Sequence, residues 1–152
     1  MKKQKKRQRK DLYEFQREAL EKIKNFDNAA LFWQMGAGKT ISSIQLTEHW
    51  GSLILVCLVL KSTVNQWLEE LYNQTERTVF NGYKKTKSDG IEAFIACSDK
   101  KCIVIGYDAY KAKCGTKLRE YINQHAEDVS IVCDESSLIG HMESERTKAV
   151  MK

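Results

Sequence analysis

Hydrophobic positions along the chain follow two alternating patterns, one with helical spacing and one of short continuous runs. Continuous runs, typical of buried strands, occur at 29–33, 53–60, 101–105 and 129–133, with a shorter extended piece at 78–80. Stretches with helical spacing lie between them, at 12–25, 39–50, 63–72, 86–96 and 107–125. Strands that alternate with helices of this length predict an α/β fold, with a mainly parallel sheet and helices on both faces.

Charge separates a short tail from the rest of the chain. The 152 residues have a net charge of +5, but the first ten contain seven Lys or Arg and no acid. Subtracting those seven charges leaves −2 for residues 11–152, which we interpret as one domain behind a basic, disordered tail at 1–10. The tail suits either phosphate binding or a solvating extension.

The cysteines and the hydropathy of the chain indicate the cellular compartment. The five cysteines, at 57, 97, 102, 114 and 133, lack paired CxxC spacing, and no apolar segment follows the basic N-terminus. This favours a reducing, cytoplasmic setting. The longest apolar run, 53–60, is much shorter than the ~20 residues of a membrane helix, so we expect no membrane partner. Cys97 and Cys102 could supply two ligands of a metal site, but no other Cys or His has ligand spacing. A purely structural role is therefore the stronger interpretation of the cysteines.

A glycine-bearing turn follows the predicted strand at 29–33 and precedes the helix at 39–50. Its residues are Met35, Gly36, Ala37, Gly38, Lys39 and Thr40. Glycines allow the backbone to approach a phosphate closely, and the amides of a helix N-terminus attract anions. Lys39 is then placed to reach β- and γ-phosphates, and the Thr40 hydroxyl to bind Mg²⁺. The full phosphate-loop pattern lacks its first glycine, which is Trp33 here.

Two adjacent carboxylates, Asp134 and Glu135, end the last predicted strand. Ligands bind at the carboxyl ends of strands in open parallel sheets. Together with a phosphate loop, this position predicts that Asp134 holds Mg²⁺ and that Glu135 orients an attacking water. ATP and Mg²⁺ are therefore the expected cofactors.

The chain resembles the first RecA-like domain of superfamily-two helicases and translocases, most closely the Swi/Snf-like DEAD/DEAH-type ATPases. The segments that carry the resemblance occur in the family's order, at 12–16, 35–40, 55–67, 105–108, 134–137 and 144–149. It implies a RecA-like P-loop NTPase fold and an ATPase that acts on nucleic acid, with double-stranded DNA as the expected partner. It implies that Gln16 reads adenine and that Lys61, Ser62 and Tyr107 contact nucleic acid.

The chain also departs from that family. Ser137 replaces the last residue of the usual box, and the second RecA-like domain with its arginine finger is not in the sequence. Loss of such a finger typically costs ~10³–10⁵ in rate, so we expect little hydrolysis without a second domain or partner chain. The alternative hypothesis is a free-standing half-helicase that acts as a non-catalytic nucleotide- or nucleic-acid-binding regulatory module.

The resemblance makes a specific expectation for the sheet. In the family, a strand that follows the box inserts between the strands equivalent to 29–33 and 129–133, and that strand is missing here. We therefore expect one of three outcomes: the two strands pair directly, a segment of another molecule fills the gap, or the isolated chain is only partly folded.

Overall fold

The computed structural model describes residues 7–83 and 87–135. The helices in these ranges are α1 (Glu14–Ile23), α2 (Lys39–His49), α3 (Val64–Gln74), α4 (Lys87–Ala96), α5 (Tyr107–Lys111) and α6 (Thr116–Gln124). The strands are β1 (Ile54–Val59), β2 (Thr78–Asn81), β3 (Lys101–Gly106) and β4 (Val129–Cys133). Short 3₁₀ turns occur at Lys61–Thr63, Lys113–Gly115 and Ala126–Asp128. Four of the five predicted strands are present, within about one residue of the expected ends.

The four strands form one parallel sheet in the order β2-β3-β1-β4. Strand β1 lies between β3 and β4, with Ile54 opposite both Lys101 and Val129. Every residue of β1 and β3 is buried, as expected for parallel strands covered on both faces. The predicted α/β fold with a parallel sheet is confirmed.

Alternate residues of β1 supply two separate cores. Ile54, Val56 and Leu58 face a cluster that includes residues of α4, α5 and α6. Leu55, Cys57 and Val59 face a second cluster with residues of α2 and α3. Because successive side chains of a strand point to opposite faces, the uninterrupted apolar run at 53–60 is what two covered faces require. Helices therefore lie on both faces of the sheet, as predicted.

The predicted strand at 29–33 is wrong. These residues form neither helix nor strand, and Phe32 is 91% exposed. A strand needs a neighbour for its backbone N–H and C=O groups, and segment 29–33 pairs with no strand of the described sheet, not even with the free edge of β4. The apolar stretch at 29–33 instead joins α1 to α2 outside the sheet.

This arrangement also excludes one expected outcome for the sheet. Direct pairing of 29–33 with Val129–Cys133 does not occur, because β4 pairs with β1 and segment 29–33 is not a strand. Among the described residues, β4 is an edge strand of the sheet, and its Ile131 is 36% exposed. The box residues Ser136 and Ser137 and the segment 144–149 lie outside the described residues.

The described part of the basic tail contacts α3. Residues 7–10 have no regular secondary structure and are exposed. Arg7 and Arg9 pair with Glu76, and Lys10 pairs with Glu70. In addition, the backbone N–H of Gln8 donates to Oδ1 of Asn73 at 3.1 Å.

In the described ranges, no helix is long and apolar enough to cross a membrane.

Candidate nucleotide site

The carboxyl ends of the parallel strands meet at one edge of the sheet. Asp134 follows β4, Tyr107 follows β3, and the turn Lys61–Thr63 follows β1. Residues near the ends of the three strands lie side by side, with Leu58 opposite both Ile105 and Cys133. Residues far apart in sequence are therefore neighbours at this edge, where parallel sheets bind ligands.

Asp134 is held through its backbone and its side chain. Its backbone N–H donates to the carbonyl of Leu58 at 2.9 Å, and its carbonyl accepts a 2.6 Å hydrogen bond from the Tyr107 hydroxyl. The indole Nε1–H of Trp67 donates to Asp134 Oδ2 at 2.8 Å. The Thr63 hydroxyl lies 3.5 Å from the same oxygen. Both side-chain contacts fall on Oδ2, so they direct the carboxylate without occupying both of its oxygens.

Tyr107 acts here as a neutral donor. The residue is 4% exposed, and burial raises the pKa of its phenol far above the ordinary value, with the nearby Cys133 and Asp134 adding to the effect. A buried phenol that keeps its proton can donate continuously to the Asp134 carbonyl. The hydroxyl of Tyr107 is turned inward and is not presented to nucleic acid. Contact between Tyr107 and nucleic acid stays a prediction.

Glu135 is exposed and begins the departure of the chain from the sheet. Its φ of 54° is in the left-handed region, which non-glycine residues adopt rarely. Asp134, one residue earlier, is partly buried. Its role in orienting water stays a prediction.

The glycine loop makes a tight turn before α2. Gly36 and Gly38 have φ values of 81° and 78°, and the Ala37 N–H donates to the Gln34 carbonyl at 3.3 Å. The left-handed φ of Gly38 favours glycine, and a Cβ atom there would also meet the terminal amide of Gln16, which would have to move. Gly38 is the N-cap of α2 and provides no side-chain cap, so amides of the first turn remain for an anion.

Gln16 fastens this loop to α1. Its side chain is buried, with Oε1 accepting from the Tyr13 N–H and Nε2 donating to the Ala37 carbonyl, both at 2.8 Å. The structure thus brings Gln16 and the loop together across 21 positions of sequence. Its amide is engaged by the protein at both ends, and adenine reading stays a prediction.

Lys39 lies back over the loop. Its Nζ donates to the carbonyls of Trp33 at 2.9 Å and Gln34 at 3.3 Å. Its partners are neutral carbonyls, which a phosphate oxygen can replace with a charge-assisted hydrogen bond. Thr40 is partly buried in the first turn of α2.

The contacts of Glu48 locate the end of α2 relative to the sheet. Glu48 pairs with Arg77 and Lys100, which precede β2 and β3, so the end of α2 lies at the amino edge of the sheet. Lys39 lies nine residues earlier, about 13 Å back along the helix. From this we infer that the loop lies toward the carboxyl edge, where Asp134 is. Within residues 7–83 and 87–135, no hydrogen bond or ion pair joins the loop to the side chain of Asp134.

The other predicted contacts with nucleic acid lie at this edge too. Lys61 and Ser62 are exposed in the turn after β1, beside the helix that carries Trp67. Trp67 itself is 2% exposed and packs in the core, as expected for it. Sequence reasoning missed the hydrogen bonds from Trp67 and Thr63 to Asp134. Thr63 and Trp67 are four residues apart, which places their side chains on one side of a helix, and this spacing was the signal in the sequence.

The chemistry of the donors is compatible with Mg²⁺. Mg²⁺ beside phosphates keeps several waters and takes only one or two carboxylates, and Asp134 offers a carboxylate and Thr40 a hydroxyl. A site made by the protein alone is a different matter. In the described ranges there is no cluster of three or more His, Cys, Asp or Glu, and the five cysteines are free.

Comparison with known proteins adds no relative. No protein-family model matches the chain, and the search of curated proteins found no match.

Proposed function

We propose that this chain is the ATP-binding domain of a DNA-dependent helicase or translocase of the Swi/Snf-like type, with a RecA-like fold. It would hydrolyse ATP only together with a second RecA-like domain. One observation carries the proposal. In a parallel α/β fold, a glycine loop begins α2 with Lys39 folded over it, and β4 leads directly into Asp134.

Each residue has a part that follows from its position. The loop amides and the N-terminus of α2 would bind phosphate oxygens, and Lys39 would exchange its two carbonyl partners for the terminal phosphates. Asp134 and Thr40 would hold Mg²⁺, which when bound neutralises charge on the phosphates. Glu135 would orient water once a second domain closes over the site. Lys61 and Ser62, exposed at the same edge, would contact the nucleic-acid backbone.

Calorimetric titration of Mg-ATP into the protein tests the nucleotide part. Lys39→Ala removes the only charged side chain among residues 33–40, and a charged hydrogen bond is worth about 1.5–3 kcal/mol, so affinity should fall about 10- to 100-fold. Lys22→Ala, an exposed lysine on α1, is the matched control and should bind as the wild type does. Equal affinity for all three proteins, or none for any of them, would contradict the proposal.

A further inference from the structure

Asp134 is fixed by partners that the proposed chemistry does not use. Trp67 donates to Oδ2 at 2.8 Å, and Tyr107 donates to the main-chain carbonyl at 2.6 Å. Both donors come from other elements, α3 and α5, that pack on opposite faces of the sheet. The carboxylate at the end of an edge strand is thereby tied to both layers of helices.

The Trp67 hydrogen bond is well placed to act on the charge of Asp134. Trp67 is 2% exposed and packs in the α2 and α3 core, so its ring position is set by packing. An indole N–H is a donor only, and its bond to a carboxylate is charge-assisted. Because the donor is neutral, it orients the carboxylate without neutralising the negative charge that a cation needs.

We infer that Trp67 is a positioning residue for Asp134: it holds Oδ2 and so presents Oδ1 to the cation that accompanies the nucleotide. Tyr107 supports the same arrangement by fixing the backbone of Asp134. The inference rests on the proposed function, since it concerns the Mg²⁺ that comes with ATP. Residues that orient a metal ligand in this way typically change metal affinity about 10- to 100-fold when they are replaced.

The chain offers a matched control. Trp50 also donates its indole N–H at 2.9 Å, but to the main-chain carbonyl of Lys24, away from the candidate site. Trp67→Phe and Trp50→Phe therefore remove the same group and leave similar apolar volume. Only the first removes a hydrogen bond to Asp134.

The test measures ATP affinity by calorimetry, with Mg²⁺ and with a chelator in its place. We expect Trp67→Phe to reduce the Mg²⁺-dependent gain in affinity about 10-fold while leaving the affinity without Mg²⁺ unchanged. Trp50→Phe should change neither. Equal results for the two variants, or an equal loss with and without Mg²⁺, would overturn the inference while wild-type binding keeps the proposed function intact. Absence of ATP binding by the wild type would overturn both.

A second measurement does not depend on the folding of Trp67→Phe. The indole N–H resonances, assigned through Trp33→Phe and Trp50→Phe, report hydrogen bonding of Trp67 in the intact site. Asp134→Asn should move the Trp67 resonance alone, toward the position of a weaker hydrogen bond, and Mg-ATP should move it in the wild type. A Trp67 resonance that moves neither on Asp134→Asn nor on addition of Mg-ATP would overturn the inference.

Discussion

Asp134 ends a strand whose five residues pair with buried β1, whereas Lys39 follows a segment that belongs to no strand. These two halves of the candidate site lie at one edge of the sheet but are built differently. The Asp134 half is held by main-chain pairing and by buried donors from two elements. The loop half is held by the Gln16 amide, the Lys39 ammonium and the start of α2.

The difference predicts how each half behaves. Groups carried by a buried sheet open only when much of the fold opens, while a loop with few buried contacts opens locally at small cost. Met35 is 95% exposed and Phe32 91% exposed, so little apolar burial holds the loop half. We therefore expect the Asp134 half to keep its geometry on ligand binding and the loop half to adjust if phosphates replace the carbonyl partners of Lys39.

The largest contrast between the halves is in stability. Leu58 of β1 is fully buried in an apolar cluster, so Leu58→Ala should cost about 2–5 kcal/mol in the free energy of unfolding. Met35→Ala, in the loop half, should stay within about 0.5 kcal/mol of the wild type. Urea unfolding measures both, with similar slopes expected for all three proteins. A comparable loss for Met35→Ala would show that the loop half is packed in solution.

A smaller effect tests what fastens the loop. Gln16→Met keeps the volume of a buried side chain but removes its bonds to Tyr13 and Ala37, at an expected cost of about 1–3 kcal/mol in unfolding free energy. Hydrogen exchange at the amides of residues 36–38 should accelerate more than exchange in β1. Gln124→Met, at an exposed position of α6, is the control and should change neither quantity. Equal acceleration in loop and sheet would mean that Gln16 supports the whole fold rather than the loop.

Local pattern was sufficient for most of the fold. Residues 53–60 and 102–105 are uninterrupted apolar runs, and such runs become central strands because both faces of a parallel sheet are covered. The run at 29–33 has a similar apolar character but pairs with no strand, although β4 has a free edge in the described sheet. Hydrophobicity reports a tendency to be buried, whereas pairing depends on which neighbours the rest of the chain supplies. That information is not contained in the five residues themselves.

The candidate site shows the same limit. The start of α2 directly after the glycine loop and the position of Asp134 after β4 followed from sequence, whereas the strand predicted before the loop is absent. The partners that orient them did not, because Trp67 and Tyr107 reach Asp134 through the tertiary fold, across 67 and 27 positions of sequence. An apolar Trp on a helix predicts burial and says nothing of where its N–H points. Roles in binding ATP, Mg²⁺ and DNA stay predictions.

The smallest effect on stability is expected at the tail, whose described residues lie against α3 and the turn that follows it. Exposed ion pairs each contribute about 0–1 kcal/mol to stability. DNA phosphates can therefore replace Glu70 and Glu76 as the partners of Arg7, Arg9 and Lys10. Deleting residues 1–10 should therefore leave the free energy of unfolding and Mg-ATP affinity nearly unchanged but weaken binding to a DNA duplex at low salt, because residues 11–152 have a net charge of −2.

Fluorescence anisotropy with a labelled duplex at several salt concentrations measures the DNA affinity and its dependence on salt. Each phosphate that the shortened chain no longer neutralises should lower the slope of log affinity against log salt by about 0.9. Glu76→Gln is the complementary variant. It frees Arg7 and Arg9 without shortening the chain, so it should raise DNA affinity slightly. Glu127→Gln, which removes an exposed acid of the 3₁₀ turn Ala126–Asp128, controls for net charge. An unchanged slope after the deletion would assign DNA binding to the domain itself, with Lys61 the first residue to replace.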